Sequence, residues 1–226
     1  MGWNDNRVVG KMQQQFNAQD ISSMDAPYRA LFINSLGGFK SANLVGTKDQ
    51  DSGSNVAIMS SAVHIGANPP LLAIVIRPDG GHRHTLKNIL QYQCFTLNHI
   101  NEEILFSAHQ TAARYDNNVS EFDSVGLTKL WQDGFNAPFV AESSIQMGLE
   151  FRQHIPLDIN GTHFVIGEIV NVSVPKAAIQ TDGAVMIEQA NSVALAGLDS
   201  YHSTQLLGRM AYPKSDIEPD WLKNKI

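Results

Sequence analysis

Small hydroxyl side chains, one arginine and the start of a helix fall together within a single stretch of this sequence, Ser54 to Ile89. Ser60 and Ser61 end a run of mixed polar and apolar residues. Arg83, His84 and Thr85 follow the pair Gly80-Gly81 and precede Leu86, Ile89 and Leu90, which have helical spacing. Hydroxyls, a guanidinium and the unpaired N–H groups of a first helical turn can together hold an anionic group such as a phosphate. Each part alone has a plainer use, since paired glycines make ordinary turns and serines cap nearby backbone. Their order along the chain sets them apart.

The elements that must position these groups follow from periodicity. Leu71 to Ile76 (LLAIVI) is continuously apolar and bounded by Asn68-Pro69-Pro70 and Arg77-Pro78. A run of that length is too short for a globular helix and reads as a buried strand. The loop after it leads into a helix with Thr85 near its N-cap. Upstream, Lys40 to Lys48 has β character, and Asp49 to Ser54 (DQDSGS) marks a hairpin. Tyr28 to Leu36 is mixed and fits either a turn of helix or an approach strand. Downstream, Cys94 to His99 reads as a half-buried strand. A helix then follows from Asn101, with Ile104, Leu105, Ala108 and Ala112 on one face and Asn101 as its cap. Tyr115 to Leu130 reads as loop, short helix and strand, and Ile145 to Arg152 as a further strand. Thr162 to Val174 is the best strand of all, near-continuously apolar, and Gly167 inside it predicts a bulge or a close backbone approach. Strands outnumber helices, which points to a mainly β protein with peripheral helices, an antiparallel barrel either closed or split.

The 226 residues are 43% hydrophobic and 17% charged, which predicts one domain over 1–226 with a full core, a polar N-terminal arm (1–25) and an exposed C-terminal tail (213–226). The net charge of -6 argues against a nucleic-acid surface. Cys94 is the single cysteine, so no internal disulfide forms, and its apolar setting reads as a buried thiol in a reducing compartment. The opening residues lack the apolar core of a secretory signal, and no apolar run approaches the roughly 18 residues of a membrane span. A soluble cytoplasmic protein is the expectation. The eight histidines show no ligand spacing, so no metal is expected. A G-x-G-x-x-G fingerprint and a G-x-S-x-G elbow are both absent.

In the order of its parts the sequence resembles the flavin reductase-like family, whose fold is an FMN-binding split barrel and which includes flavoredoxins and NAD(P)H:flavin oxidoreductases. Asn55-Val56-Ala57, Ser60-Ser61, Pro69-Pro70-Leu71, and Arg83-His84-Thr85 with Asn88-Ile89 follow the family's N-x-A, Ser-rich turn, P-P-L and K-D-T-x-x-N-I blocks. His84 stands where the family carries aspartate. Lys40, Ser41, Asn43, Thr47 and Gly53 follow its first strand and hairpin, and Glu121-Phe122 with Gly126-Leu127-Thr128 its E-F-x-x-x-G-L-T block. Gly161, Thr162, His163, Gly167, Glu168 and Ile169 occupy the place of its G-D-H block, with Thr162 for aspartate. Leu207 to Tyr212 (LGRMAY) resembles its closing R-L-G-x-x-Y, with the arginine after the glycine.

The resemblance, which covers roughly Lys40 to Tyr212, implies a Greek-key antiparallel split barrel, a homodimer with flavin near the interface, bound FMN, and NADH or NADPH as electron donor. It implies FMN contacts for Lys40, Asn43, Thr47, Asn55, Val56, Ala57, Met59, Ser60, Ser61, Arg83, His84, Thr85, Asn88, Arg209 and Tyr212, with Tyr201 and His202 nearby. Arg83 and Thr85 would hold the phosphate, Asn55 to Ser61 would edge the ring and ribityl chain, and His163 would face the nicotinamide as the catalytic residue. The implied activity is an NAD(P)H:flavin oxidoreductase passing electrons to free flavin, an acceptor protein such as a monooxygenase, or oxygen. Two alternatives stay open: an FMN electron carrier without its own nicotinamide site, and a split-barrel protein that binds a ligand or partner and catalyses nothing.

Overall fold

The computed structural model describes residues 13–78, 84–116 and 118–222. Two short helices come first, α1 (Ala18–Ser23) and α2 (Ala26–Leu36). The strands β1 (Lys40–Ser41), β2 (Asn43–Lys48), β3 (Ser54–Met59), β4 (Ala62–Ala67) and β5 (Pro70–Ile76) follow, then α3 (His84–Tyr92) and β6 (Cys94–His99). After α4 (Leu105–Gln110) and α5 (Glu121–Val125) come β7 (Lys129–Leu130), β8 (Phe139–Val140), β9 (Gln146–Leu157) and β10 (Thr162–Ser173). Two 3₁₀ turns, Lys176–Ala178 and Ile187–Ala190, lead to β11 (Ala194–Ala196) and β12 (Ser200–His202). The first helix begins on a capping box: the Asn17 side chain accepts from the N–H groups of Gln19 and Asp20, and Asp20 accepts from the Asn17 N–H.

Seven strands form one antiparallel sheet in the order β3-β2-β6-β9-β10-β5-β4. Its two ends, β3 and β4, are consecutive in the chain and joined by Ser60-Ser61 alone. Three residue steps span at most about 11 Å, so the sheet must curl until its edges nearly meet. The result is a mainly β split barrel whose seam lies at Ser60-Ser61. Small sheets of β1-β11-β12 and β7-β8 lie beside it.

Side-chain alternation sorts the core into two layers. Val45, Ile74, Ile76, Phe95, Leu97, Leu149 and Val165 fill the barrel, and Ile89 of α3 joins them from one end. Leu44, Val56, Ile100, Phe122, Val140 and Leu195 form a second cluster with Ile104 and Ala108, under α4 and α5. Gly167 sits at a register shift between β10 and β9, as its place in the strand predicts. A methyl group there would stand 2.8 Å from two carbons of the buried Phe95 ring.

Several expectations change. Tyr28 to Leu36 is helical, within α2. β4 had no sequence signal: its alternation is blurred because it lies at the seam with little of it buried. Thr85 lies near the start of α3, as its second residue, and is buried against the barrel. The helix after Asn101 starts only at Leu105; Asn101 Oδ1 instead accepts from the N–H groups of Glu103 and Ile104 in the turn before it. The outer half of β10 is more exposed than its apolar residues suggest. β9 runs on to Leu157 although it contains Pro156, because β6 pairs with it only as far as Glu150. Beyond that point one side of β9 carries no ladder, and a proline costs no bond there.

Candidate functional site

Helix α3 closes one end of the barrel, and polar side chains brace it there. Its apolar face, Leu86 and Ile89, enters the barrel core. Thr47 of β2 and Asn55 of β3 point from the strands toward the same helix. Asn88 donates to the Thr47 hydroxyl at 3.1 Å, and its side chain helps to lower the pKa of Asp49. Asp49 Oδ1 accepts from the N–H groups of Asp51 and Ser52, each at 2.9 Å, and from the Ser52 hydroxyl at 3.0 Å. Its other oxygen lies 3.5 Å from Nδ1 of His84, the first residue of α3. Burial acts to raise the Asp49 pKa, but bonds from the Ser52 backbone, the Asn88 side chain and the Asp51 backbone hold it below the ordinary carboxylate value.

Hydrogen-bond chemistry fixes the Asn55 amide with its nitrogen toward the Glu121 carboxylate, at 3.2 and 3.3 Å, and its oxygen accepting from the Val56 N–H at 3.2 Å. The other short contact of this amide, 3.3 Å to Thr85 Oγ1, is then a hydroxyl donating to the same oxygen. Burial pushes the Glu121 carboxyl upward, against the pull of backbone N–H groups and of His84. Four of the residues that the resemblance implies for flavin, Thr47, Asn55, Thr85 and Asn88, are thus brought together at the barrel end. Their side chains bond in pairs, Asn88 with Thr47 and Asn55 with Thr85, Asn55 also bonds Glu121, and all four are buried.

The seam presents the hydroxyl pair. Ser61 Oγ donates to the Val75 carbonyl at 2.8 Å and accepts from the Val75 N–H at 3.2 Å, so this side chain replaces a rung of the ladder. Ser60 is half-buried and makes no hydrogen bond among the described residues. Ala57 and Met59 are half-buried beside it, and the Ile58 N–H is taken by Thr111 Oγ1 at 3.0 Å.

A cavity of about 560 Å³ lies between β5, β10 and the outer side of α3, lined by Ile76, Arg77, Leu86, Lys87, Leu90, Gln91 and His163. His163 lies within β10, paired with Ile76 on one side and Pro156 on the other. Its Nδ1 lies 2.9 Å from Nε2 of His154 on β9. Arg77 donates to Asn34 Oδ1 of α2 at 2.6 Å.

Other candidates lie elsewhere. Val56 is wholly within the core under α4 and α5, and Asn43 is buried, donating to Ser41. Lys40 Nζ donates to the carbonyls of Asn34 and Gly197. Arg209 pairs with Asp182 at 2.7 Å, and Tyr212 is exposed on the tail. Tyr201 meets His109 at 2.8 Å, and His202 stacks edge-on with Phe39. Arg83 lies outside the described residues. Sequence reasoning missed Asp49 and His154 as members of the site and took Glu121 only as a fold marker. The Asp-rich hairpin Asp49 to Ser54 carried a signal for Asp49; His154 had none, since only the strand register brings it to His163. Among the described residues no group of three or more metal-ligating side chains occurs, and no helix is long and apolar enough to cross a membrane.

Residues 37–190 match the family described as flavin reductase like domain. A crystal structure from Shewanella frigidimarina, provisionally described as a flavin reductase with a split barrel domain, is 47% identical with a TM-score of 0.85, covering 89% of this chain and all of its own. Nitrilotriacetate monooxygenase component B from Bacillus cereus is 22% identical with a TM-score of 0.73, covering 87% of this chain and 98% of its own. Flavoredoxin of Desulfovibrio vulgaris is 24% identical with a TM-score of 0.65, covering 79% and 92%. These last two share the fold.

Proposed function

The chain belongs to the flavin reductase-like family, and from that premise we propose that it is an FMN-binding NAD(P)H:flavin oxidoreductase that works as a homodimer. The observation that carries this reading is the cavity beside α3, where one imidazole and two cationic side chains converge on apolar walls. Its donor set fits a phosphate-bearing, flat ligand. Arg77 and Lys87 supply positive charge, and Ile76, Leu86 and Leu90 offer apolar surface for a ring. Bound flavin would supply the hydride acceptor that no side chain can provide. The protein's share is then position and electrostatics. His163 presents a ring nitrogen to the nicotinamide carboxamide, Arg77 and Lys87 draw in phosphate, and the apolar wall keeps water from the transferring hydride. The brace of Thr47, Asn55, Thr85 and Asn88 acts behind this surface by fixing α3 on the barrel.

Exposed apolar side chains on β4 (Val63 and Ile65) and β10 (Val170 and Val172) support the second copy, because a monomer rarely leaves such a face in water. A monooxygenase or other acceptor protein fits as consumer of the reduced flavin. The test is direct. Purified protein loaded with FMN should absorb near 450 nm, as oxidised flavins do (~450 nm), and should bleach on anaerobic addition of NADH or NADPH. Failure to bind FMN would refute the flavin reading. FMN bound but never bleached by either nucleotide would leave an electron carrier. Light scattering of the FMN-loaded protein should give twice the chain mass, and a monomer would overturn the dimer.

A further inference from the structure

We propose that His154 is a positioning residue for His163: it donates from Nε2 to Nδ1 of His163 and so fixes that ring with its own Nε2–H turned to the cavity. This rests on the reading of His163 given above and adds a residue to it.

The two rings are held by the sheet. His154 pairs with Val165 in the β9–β10 ladder, and His163 is two residues from Val165. Both therefore project from the face on which Val165 enters the barrel core, just past the end of that core. The rings lie 5.0 Å apart and the N···N distance is 2.9 Å, a full hydrogen bond. A neutral imidazole carries one N–H, so one ring donates and the other accepts.

Which way the bond runs follows from the atoms involved. The contact joins Nε2 of His154 to Nδ1 of His163. If His154 donates, both rings carry their proton on Nε2, the tautomer an isolated imidazole side chain prefers. If His163 donates, both must carry it on Nδ1, the disfavoured form. The first arrangement leaves His163 as a neutral donor at Nε2, the one ring nitrogen still open to a ligand. A neutral ring also avoids adding a third positive charge beside Arg77 and Lys87, which line the same cavity. Burial and the neighbouring His163 both lower the His154 pKa, which keeps the donor ring neutral as well. The neighbouring Thr162 projects from the opposite face, where its Oγ1 donates to Asn160 at 2.7 Å, so the partner that orients the His163 ring is His154.

The experiment uses the full-length, FMN-loaded protein labelled with ¹⁵N at histidine. Long-range ¹H–¹⁵N spectra at mildly alkaline pH report which ring nitrogen carries each proton. In the wild type, His163 should show protonated Nε2 and bare Nδ1. His154→Phe, which keeps a ring but removes the donor, should shift His163 to a mixture of tautomers and slow anaerobic bleaching by NADH or NADPH about tenfold, the effect of one lost bond. His154→Gln, which can still donate, should restore the rate to within about threefold. An unchanged His163 tautomer in His154→Phe overturns the proposal. So does a wild-type spectrum that changes on adding a chelator, since the two nitrogens would then share a metal rather than a proton. The spectra do not depend on redox chemistry. A scrambled tautomer with unchanged bleaching would refute the catalytic role of His163 and leave the pair standing, and would separate the two failures.

Discussion

Replacing Asn88 by alanine should cost about 1–3 kcal/mol, and the loss should shrink in acid. Asn88 is buried on the inner face of α3, donates to the neutral Thr47 hydroxyl, and helps to hold the Asp49 carboxyl below its ordinary pKa. A neutral bond contributes about 0.5–1.5 kcal/mol, and leaving its buried partner unsatisfied raises the cost to about 1–3 kcal/mol. The pH dependence follows from Asp49, whose folded pKa is held below the ordinary carboxylate value. Stabilisation from such a group is complete above the unfolded pKa and disappears as pH falls through the folded one. Removing the Asn88 donor lets the folded value rise, so wild type and variant differ most near neutrality and converge once Asp49 is protonated in both. Asn88→Asp sharpens the contrast by setting a second carboxylate beside the first. It should be the worse variant at neutral pH and the one that recovers most in acid. Urea unfolding of both variants across this range measures the effect. A penalty for Asn88→Ala below about 0.5 kcal/mol, or one that does not shrink with acid, would show that the brace under α3 is not what holds the helix.

Gly167→Ala should lose about 1–3 kcal/mol by overpacking, because the new methyl meets the Phe95 ring at 2.8 Å and Leu149 Cβ at 3.0 Å. Adding Phe95→Leu to that variant should cost less than it does in the wild type, a coupling that a double-mutant cycle in urea resolves. His99 has its pKa lowered by burial from 6.5 to about 4, so the unfolded chain takes up a proton that the folded one refuses. Stability should therefore fall as pH drops from 6.5 to about 4, by up to about 3 kcal/mol at 1.36 kcal/mol per pH unit, and His99→Gln should flatten that slope in thermal melts. Ser61→Ala should weaken the β4–β5 pairing beside the seam by about 1–2 kcal/mol, since both bonds to the Val75 backbone go with the one hydroxyl.

How much of this was legible in the sequence differs from element to element. The apolar run of β5 and the pattern of β10 announced themselves, and Gly167 marked its bulge, because those signals depend on residues adjacent in the chain. β4 was hidden because an edge strand at a seam buries neither face well enough to alternate. For the site, the residue types were readable and their directions were not. Thr47, Asn55, Thr85 and Asn88 stand out as polar residues among apolar ones, yet spacing alone does not say whether they face a ligand or one another. Here they face one another. His154 was illegible for a simpler reason: its neighbours Gln153 and Pro156 look like loop, and only the register of β9 against β10 pairs it with His163.

The seam at Ser60-Ser61 also bears on how the protein avoids its own kind of misassembly. An open sheet shows two rows of unpaired N–H and C=O groups, each a template on which a stray strand can grow. In this chain the two rows belong to β3 and β4, and a two-residue link keeps them side by side. There is one narrow gap in place of two remote margins, and the Ser61 hydroxyl carries the β4–β5 pairing up to its lip by binding the Val75 backbone. A longer linker between Met59 and Ala62 would let the margins drift apart and leave each free to recruit another chain. The short serine bridge thus guards against fibre-like growth by holding the two margins together.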